Sequence, residues 1–292
     1  GLDFIIYDIQ DIGSRFYTYI STLGMVIEAA AEQNIEIMIL DRPNPISGKI
    51  IEGAILDTSF KSFVGYYPIP IRYGLTVGEL TYMAINESWL SPLPKKITIV
   101  KMDGWERSMF FDETHLPWIP PSPNIPNLET AIIYPGMCLF EATNLSEGRG
   151  TQKPFLQIGA PWIKKDLINR LKALNLEGVN INFTKFSPKT IPGKALNPKF
   201  ENSTCYGSIF KITEKHKFKA LETALRKISI VNENYDDEFN FNSISLNKLY
   251  GNNSLTSYLN TSSQPNNINK QDAFLDLLQN EKKSLKSFSK KS

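Results

Sequence analysis

At 292 residues, with 41% hydrophobic and 21% charged side chains, the chain has ordinary globular composition and room for two domains or one large α/β domain. A net charge of +2 gives no electrostatic reason to expect nucleic acid as a partner. No apolar run approaches the roughly 20 residues that a membrane-spanning helix needs, and two cysteines, Cys138 and Cys205, are too few for a disulfide framework and lack metal-ligand spacing.

The chain opens on an apolar run, Phe4 to Tyr7, which predicts a buried parallel strand. Neither a basic leader nor a signal-like apolar stretch precedes it. Such a strand needs neighbours, so an excerpt whose N-terminal part lies elsewhere is expected. From Phe16 to Gln33 the apolar positions Tyr19, Leu23, Val26, Ile27 and Ala30 recur at helical spacing. Asn34 stops that pattern, and Ile35 to Leu40 is a second strand. Together these make a βαβ unit, whose strand ends lie on one edge. Ligands bind outside the carboxyl ends of such strands. Asp8, Gln10, Asp11, Asp41, Arg42 and Asn44 follow the two strands and therefore face the expected cleft.

Phe60 to Tyr73 is rich in aromatics and prolines and reads as a long ordered loop. Thr76 and Glu79 form a capping box that starts a helix running to about Glu87. Ile97 to Val100 is a further strand. Leu116 to Pro126 carries five prolines and must be extended and stiff, either a linker or a cleft wall that includes Asn124. A short helix follows Asn127 and should stop near Pro135 and Gly136. Cys138 to Glu141 then reads as a strand that delivers Glu141 to the same edge as Asp8 and Asp41.

Beyond Thr151 the composition shifts. Helices are expected at Lys164 to Leu174 and Phe218 to Ser229, with paired strands at Ile181 to Phe186 and Cys205 to Thr213. The Asn- and Ser-rich residues 232–270 carry no firm element, and Gln271 to Ser292 reads as a helix running into a solvated end. The expected fold is therefore α/β: a Rossmann-like parallel-sheet domain over residues 1–152, incomplete at its N-terminus, and a smaller auxiliary α+β domain over 153–292.

His115 and His216 are the only histidines, and neither has a partner at metal-ligand spacing. There is no G-x-S-x-G elbow, dinucleotide fingerprint or P-loop, so neither a serine triad nor a cofactor is expected. Carboxylate chemistry remains. In glycoside hydrolysis one acid protonates the leaving oxygen while another acts on the far side of the sugar. Glu141, directly after Leu139 and Phe140, has the apolar setting that raises an acid's pKa. With Glu147 and Asp11 it makes up the set of candidate catalytic acids. Candidate substrate-binding residues are Asp8, Gln10, Arg15, Tyr17, Asp41, Arg42, Asn44, Asn124, Asn144 and Arg149. The plainer reading of the three arginines pairs Arg15 with Asp11, Arg42 with Asp41 and Arg149 with Glu147. The functional one is a fork for a substrate carboxylate.

DIQDIGSRFYTYISTLG (Asp8 to Gly24), LDRPNPISG (Leu40 to Gly48), PPSPNIPNLETAIIYPG (Pro120 to Gly136) and FEATNLSEGRGT (Phe140 to Thr151) resemble the NamZ-type exo-β-N-acetylmuramidases. The similarity runs in order to about Trp162 and continues more weakly through Asn197 to Thr213. It implies a Rossmann-like domain with a smaller auxiliary domain, and release of N-acetylmuramic acid from the non-reducing ends of peptidoglycan fragments by a secreted or periplasmic enzyme. Peptidoglycan-derived saccharides would be its partners, and the lactyl carboxylate of that sugar would be the guest of an arginine. Family members also carry an upstream FGPEHG-like motif whose Glu and His are catalytic candidates. That motif does not occur here, and Ala142 stands where the family often has Gly. The competing expectation is a non-catalytic protein that binds amino sugars or peptidoglycan. Oligomeric state is not set by the sequence.

Overall fold

The computed structural model describes residues 1–262 and 270–289, which part into two compact units: Gly1–Pro121 with the residues from Ser284, and Ser122–Lys283. The division lies upstream of residue 152, where the composition shifts.

In the first unit, β1 (Phe4–Tyr7), α1 (Tyr19–Glu32) and β2 (Glu36–Leu40) form the expected βαβ unit. After α2 (Val77–Asn86), β3 (Ile97–Val100) joins a parallel sheet of order β1-β2-β3. Phe4 to Tyr7 pair with Glu36 to Ile39, and Ile37 to Leu40 with Ile97 to Val100. One face of this sheet is packed: Tyr7, Ile37 and Ile39 meet Ile20, Leu23 and Ile27 of α1 and Leu80 and Met83 of α2. Among the described residues the other face is not, and β1 departs from the expected burial. Phe4 is 39% and Ile6 58% exposed. An outer strand covered on one side alternates between core and solvent, whereas the sequence of β1 is apolar on both sides.

The long connection between β2 and α2 stays ordered because two buried arginines satisfy its backbone. Arg15 donates from Nη1 to the carbonyls of Ala54 and Ile69, both at 2.7 Å. Arg72, wholly buried, donates to Glu52 Oε1 at 2.8 Å and to the Ile46 carbonyl. A guanidinium carries five donors in a fixed fork, so a single side chain can bridge several chain segments.

The second unit begins with α3 (Leu128–Met137), capped by Asn127, whose Oδ1 accepts from the Thr130 amide at 2.9 Å. The helix runs through Pro135 instead of stopping there, and continues as a 3-10 turn, Cys138–Ala142. Every residue from Thr130 to Met137 is buried, so packing outweighs the lost proline N–H. Gly136 lets this helix pass α5 (Ala220–Asn234): an added Cβ would stand 2.0 Å from the Ala220 carbonyl oxygen. The expected strand at Cys138 to Glu141 is therefore absent. Short apolar runs do not distinguish a strand from a buried helical turn, and here the turn continues the helix. Glu141 is thus not placed by a strand end beside Asp8 and Asp41, and it belongs to the second unit.

The second sheet, of order β4-β6-β5, is antiparallel: β4 (Gln157–Ala160) and β5 (Val179–Phe186) flank β6 (Cys205–Ile212). The helix α4 (Lys165–Ala173) precedes β5, and α5 follows β6, both close to their expected positions. Residues 232–270, left without a firm element, contain α6 (Ser243–Tyr250) and α7 (Ser254–Ser262), while 263–269 lie outside the described residues. Helix α8 (Lys270–Phe288) is the expected helix, and residues 290–292 of the expected solvated end lie outside the described residues. Phe274, Leu277 and Leu278 are buried, and Phe288 joins the core of the first unit.

Candidate active site

The parallel strands deliver Asp8, Asp41 and Lys101 to one edge. Arg42 pairs there with Asp8, Nε to Oδ1 at 2.6 Å, and not with Asp41. Asp41 is otherwise engaged: Oδ1 accepts from the amides of Gly78 at 2.8 Å and Arg42 at 3.0 Å, and Oδ2 from the Thr76 hydroxyl at 2.7 Å. It thereby holds the N-terminus of α2, where a negative charge is favoured. Gly78 permits this approach, since a Cβ would lie 2.7 Å from Asp41 Cγ. Burial nonetheless pushes the Asp41 carboxyl upward against those three donors.

The neighbouring amides are turned to the backbone. Gln10 Nε2 donates to the carbonyls of Asp11 and Pro43 at 2.7 and 2.9 Å. Asn44 donates to the Leu75 carbonyl at 2.9 Å and accepts from the Ile46 amide at 3.1 Å. Arg15 does not pair with Asp11 and is wholly buried, so it is not presented to a ligand in this conformation. Tyr17 packs edge-on against Tyr19 with ring centroids 4.8 Å apart.

Asp11 is the unusual group of this edge. Its Oδ2 accepts from the Gly13 amide at 2.7 Å and the Tyr73 hydroxyl at 2.5 Å, while Oδ1 is buried with no hydrogen-bond partner among the described residues. Burial pushes the carboxyl up to about 7, opposed by the Tyr73 hydroxyl and the amides of Gly13 and Ile12. No spacing or motif marks Tyr73, 62 residues on, as its partner. A groove of about 670 Å³ opens beside Asp41, lined also by Tyr82, Met83, Asn86, Lys101 and Trp105, and no other expected site residue borders it.

In the second unit the loop after α3 collects Glu141, Glu147 and Arg149. Arg149 grips Glu141 Oε1 through Nε at 3.0 Å and Nη2 at 2.5 Å. Its Nε lies 3.7 Å from Glu147 Oε1, so the expected Arg149–Glu147 pair is the weaker of the two. The guanidinium also stands over the Phe155 ring, 5.1 Å from its centroid. Burial alone would lower its pKa, but Glu141 and then Glu147 hold it above the ordinary value. Glu147 is 5% exposed at its side chain, against 32% for Glu141.

Lys199, which is not among the expected site residues, completes this loop. Its Nζ donates to the carbonyls of Phe140, Glu141 and Leu145 at 2.8, 3.2 and 3.1 Å and to Glu147 Oε2 at 3.0 Å. No periodicity or spacing connects Lys199 with residues so distant in the chain. Asn144 is a staple, donating to the Glu238 carbonyl at 2.6 Å and accepting from the Asn240 amide at 3.0 Å. Asn124 donates to the Lys194 carbonyl at 2.7 Å, and its Oδ1 is buried without a partner among the described residues. Both cysteines are buried free thiols, which burial pushes up, Cys205 to about 11. Among the described residues no group of three or more His, Cys, Asp or Glu side chains could hold a metal ion, and no helix is long and apolar enough to cross a membrane.

Residues 1–129 match the family model for the N-terminal part of the exo-beta-N-acetylmuramidase NamZ, and residues 132–290 match that for its C-terminal part. The peptidoglycan beta-N-acetylmuramidase NamZ of Bacillus subtilis (strain 168) is 44% identical over 254 residues. The alignment covers 86% of this chain and 59% of that relative. Two crystal structures of DUF1343 family proteins from Bacteroides fragilis NCTC 9343 are each 32% identical and superpose with TM-scores of 0.87 and 0.74. Each match covers 99% of this chain, and 74% and 73% of the respective relative.

Proposed function

Because this chain belongs to the NamZ family of exo-beta-N-acetylmuramidases, we propose that it works as a glycoside hydrolase on peptidoglycan. In this reading it releases N-acetylmuramic acid from the non-reducing ends of peptidoglycan fragments, and acts where that polymer lies, in a secreted or periplasmic setting. The observation that carries the chemistry is the Glu141 carboxylate. Arg149 fixes its Oε1 from one side, and Oε2 has no bond among the described residues, in a side chain 32% exposed. A carboxyl with one oxygen anchored and the other presented can exchange a proton at a defined place. Glu147, buried in the same loop, supports it by holding Lys199, while Asp11, in the first unit, holds Tyr73 and the turn at Gly13.

The test is release of free N-acetylmuramic acid from a chromogenic β-muramide. Glu141→Gln should lower turnover by about 10²- to 10⁴-fold, the usual contribution of a general acid, with saccharide binding retained. Unchanged turnover in Glu141→Gln would remove Glu141 from this role. Saccharide binding by the unsubstituted protein without any turnover would instead favour a non-catalytic amino-sugar-binding protein.

A further inference from the structure

We propose that Lys199 is a positioning residue that keeps Arg149 on Glu141 by occupying Glu147, an inference that rests on the glycosidase reading above. Four charges alternate in a row. Lys199 Nζ lies 3.0 Å from Glu147 Oε2, Glu147 Oε1 lies 3.7 Å from Arg149 Nε, and Arg149 reaches Glu141 Oε1 at 3.0 and 2.5 Å. Arg149 therefore stands between two carboxylates and binds one of them closely. What decides the choice is that Glu147, nearly inaccessible to water, already has a cation of its own.

The same ammonium braces the backbone. Phe140 and Glu141 belong to the 3-10 turn, and Leu145 and Glu147 lie further along the loop that follows it. A cation is favoured at the C-terminal end of a helical turn, and here it shares the Phe140 carbonyl with the Thr143 amide, which donates to it at 3.0 Å. Lys199 thus joins the start of the loop to its finish, with Glu141 between. Its own segment is tied to that loop nearby, where the Lys189 amide donates to the Gly150 carbonyl at 2.9 Å. Three ammonium protons serve four acceptors, three of them neutral carbonyls.

Removing the ammonium would leave Glu147 as a buried carboxylate short of one cation. Such a charge is costly until a new partner arrives. Arg149, only 3.7 Å away, is that partner, and a guanidinium drawn toward Glu147 is drawn off Glu141. The reaction then loses both the orientation of Glu141 and the cation beside it. Bracing of the carbonyls alone would give a different pattern, because it does not involve the charge on Glu147.

The experiment is a pH–rate profile of chromogenic β-muramide turnover by the intact protein and by Lys199→Met, Lys199→Arg and the double variant Lys199→Met/Glu147→Gln. Lys199→Met should lose about a hundredfold in kcat, the usual consequence of a misplaced catalytic group, and its alkaline limb, set by ionisation of the general acid, should move to higher pH. Lys199→Arg keeps the charge and should leave that limb in place. The double variant removes the charge that attracts Arg149, and should recover the limb and at least tenfold in kcat. Equal losses in Lys199→Met and the double variant, with the alkaline limb unmoved, would overturn the inference while leaving the glycosidase reading standing. Absence of turnover in the unsubstituted protein would refute that reading, and the inference with it. Should Lys199→Met fail to fold, an alkaline limb displaced in Lys199→Arg, or a folded double variant without recovered turnover, would count against it equally.

Discussion

Lys227 offers a direct measure of what burial costs in this fold. Its side chain is wholly buried in α5, and its Nζ donates to Ser208 Oγ of β6 at 2.7 Å. Burial drives its pKa down from 10.5 to about 7. Between those values the unfolded chain binds the proton and the folded chain does not, so stability rises with pH across that window. Below about 7 the full penalty applies, about 5 kcal/mol at about 1.4 kcal/mol per pH unit. Lys227→Met keeps the length and apolar stem of the side chain but leaves Ser208 without that donor, which costs about 1–3 kcal/mol. At pH 7 the substitution should therefore stabilise the protein by about 2–4 kcal/mol. Urea unfolding between pH 6 and 10 is the assay, and the difference between the two proteins cancels every other titrating group. The gain should be largest near pH 6–7 and disappear, or reverse, near pH 10. A pH-independent difference, or a protein destabilised at pH 7, would refute the reasoning.

The carboxyl of Asp11 gives the opposite slope. Its pKa is raised from 3.8 to about 7, so the folded state holds the proton more tightly and stability falls as pH rises through that window. Asp11→Asn should abolish this loss, worth about 4 kcal/mol at most, in the same unfolding series, while the proton-dependent slope should persist in a control such as Asp8→Asn. Gly136→Ala would push a methyl group into the Ala220 carbonyl of α5. The expected cost is about 1–3 kcal/mol, read as a lower Tm, and an unchanged Tm would show that α3 and α5 can move apart freely.

Much of the local structure was legible because it depends on short-range chemistry. The Thr76–Glu79 capping box, the Asn127 cap and the alternating strands β5 and β6 are each specified by side chains a few residues apart, and they appear where expected. Asp8, Asp11, Asp41, Glu141 and Arg149 were equally visible as chemistry, with the family resemblance adding what they serve. Their partners were not. Arg15 is buried against the carbonyls of Ala54 and Ile69, while Arg42 finds Asp8 and Arg149 prefers Glu141 to Glu147 because Asp41 and Glu147 already have other donors.

The amino-acid sequence by itself determined most of the helices and strands, though not β4, α6 or α7, and which charged groups stand at loop positions. Periodicity, capping and turn residues act over a few residues and can be read without a fold. Only the tertiary structure decided that Cys138–Ala142 is a turn and not a strand, that Asp11 is buried beside Tyr73, and that Lys199 braces the Glu141 loop. Those outcomes follow from the competition of distant groups for the same buried space and the same few acceptors, and chain order does not record that competition.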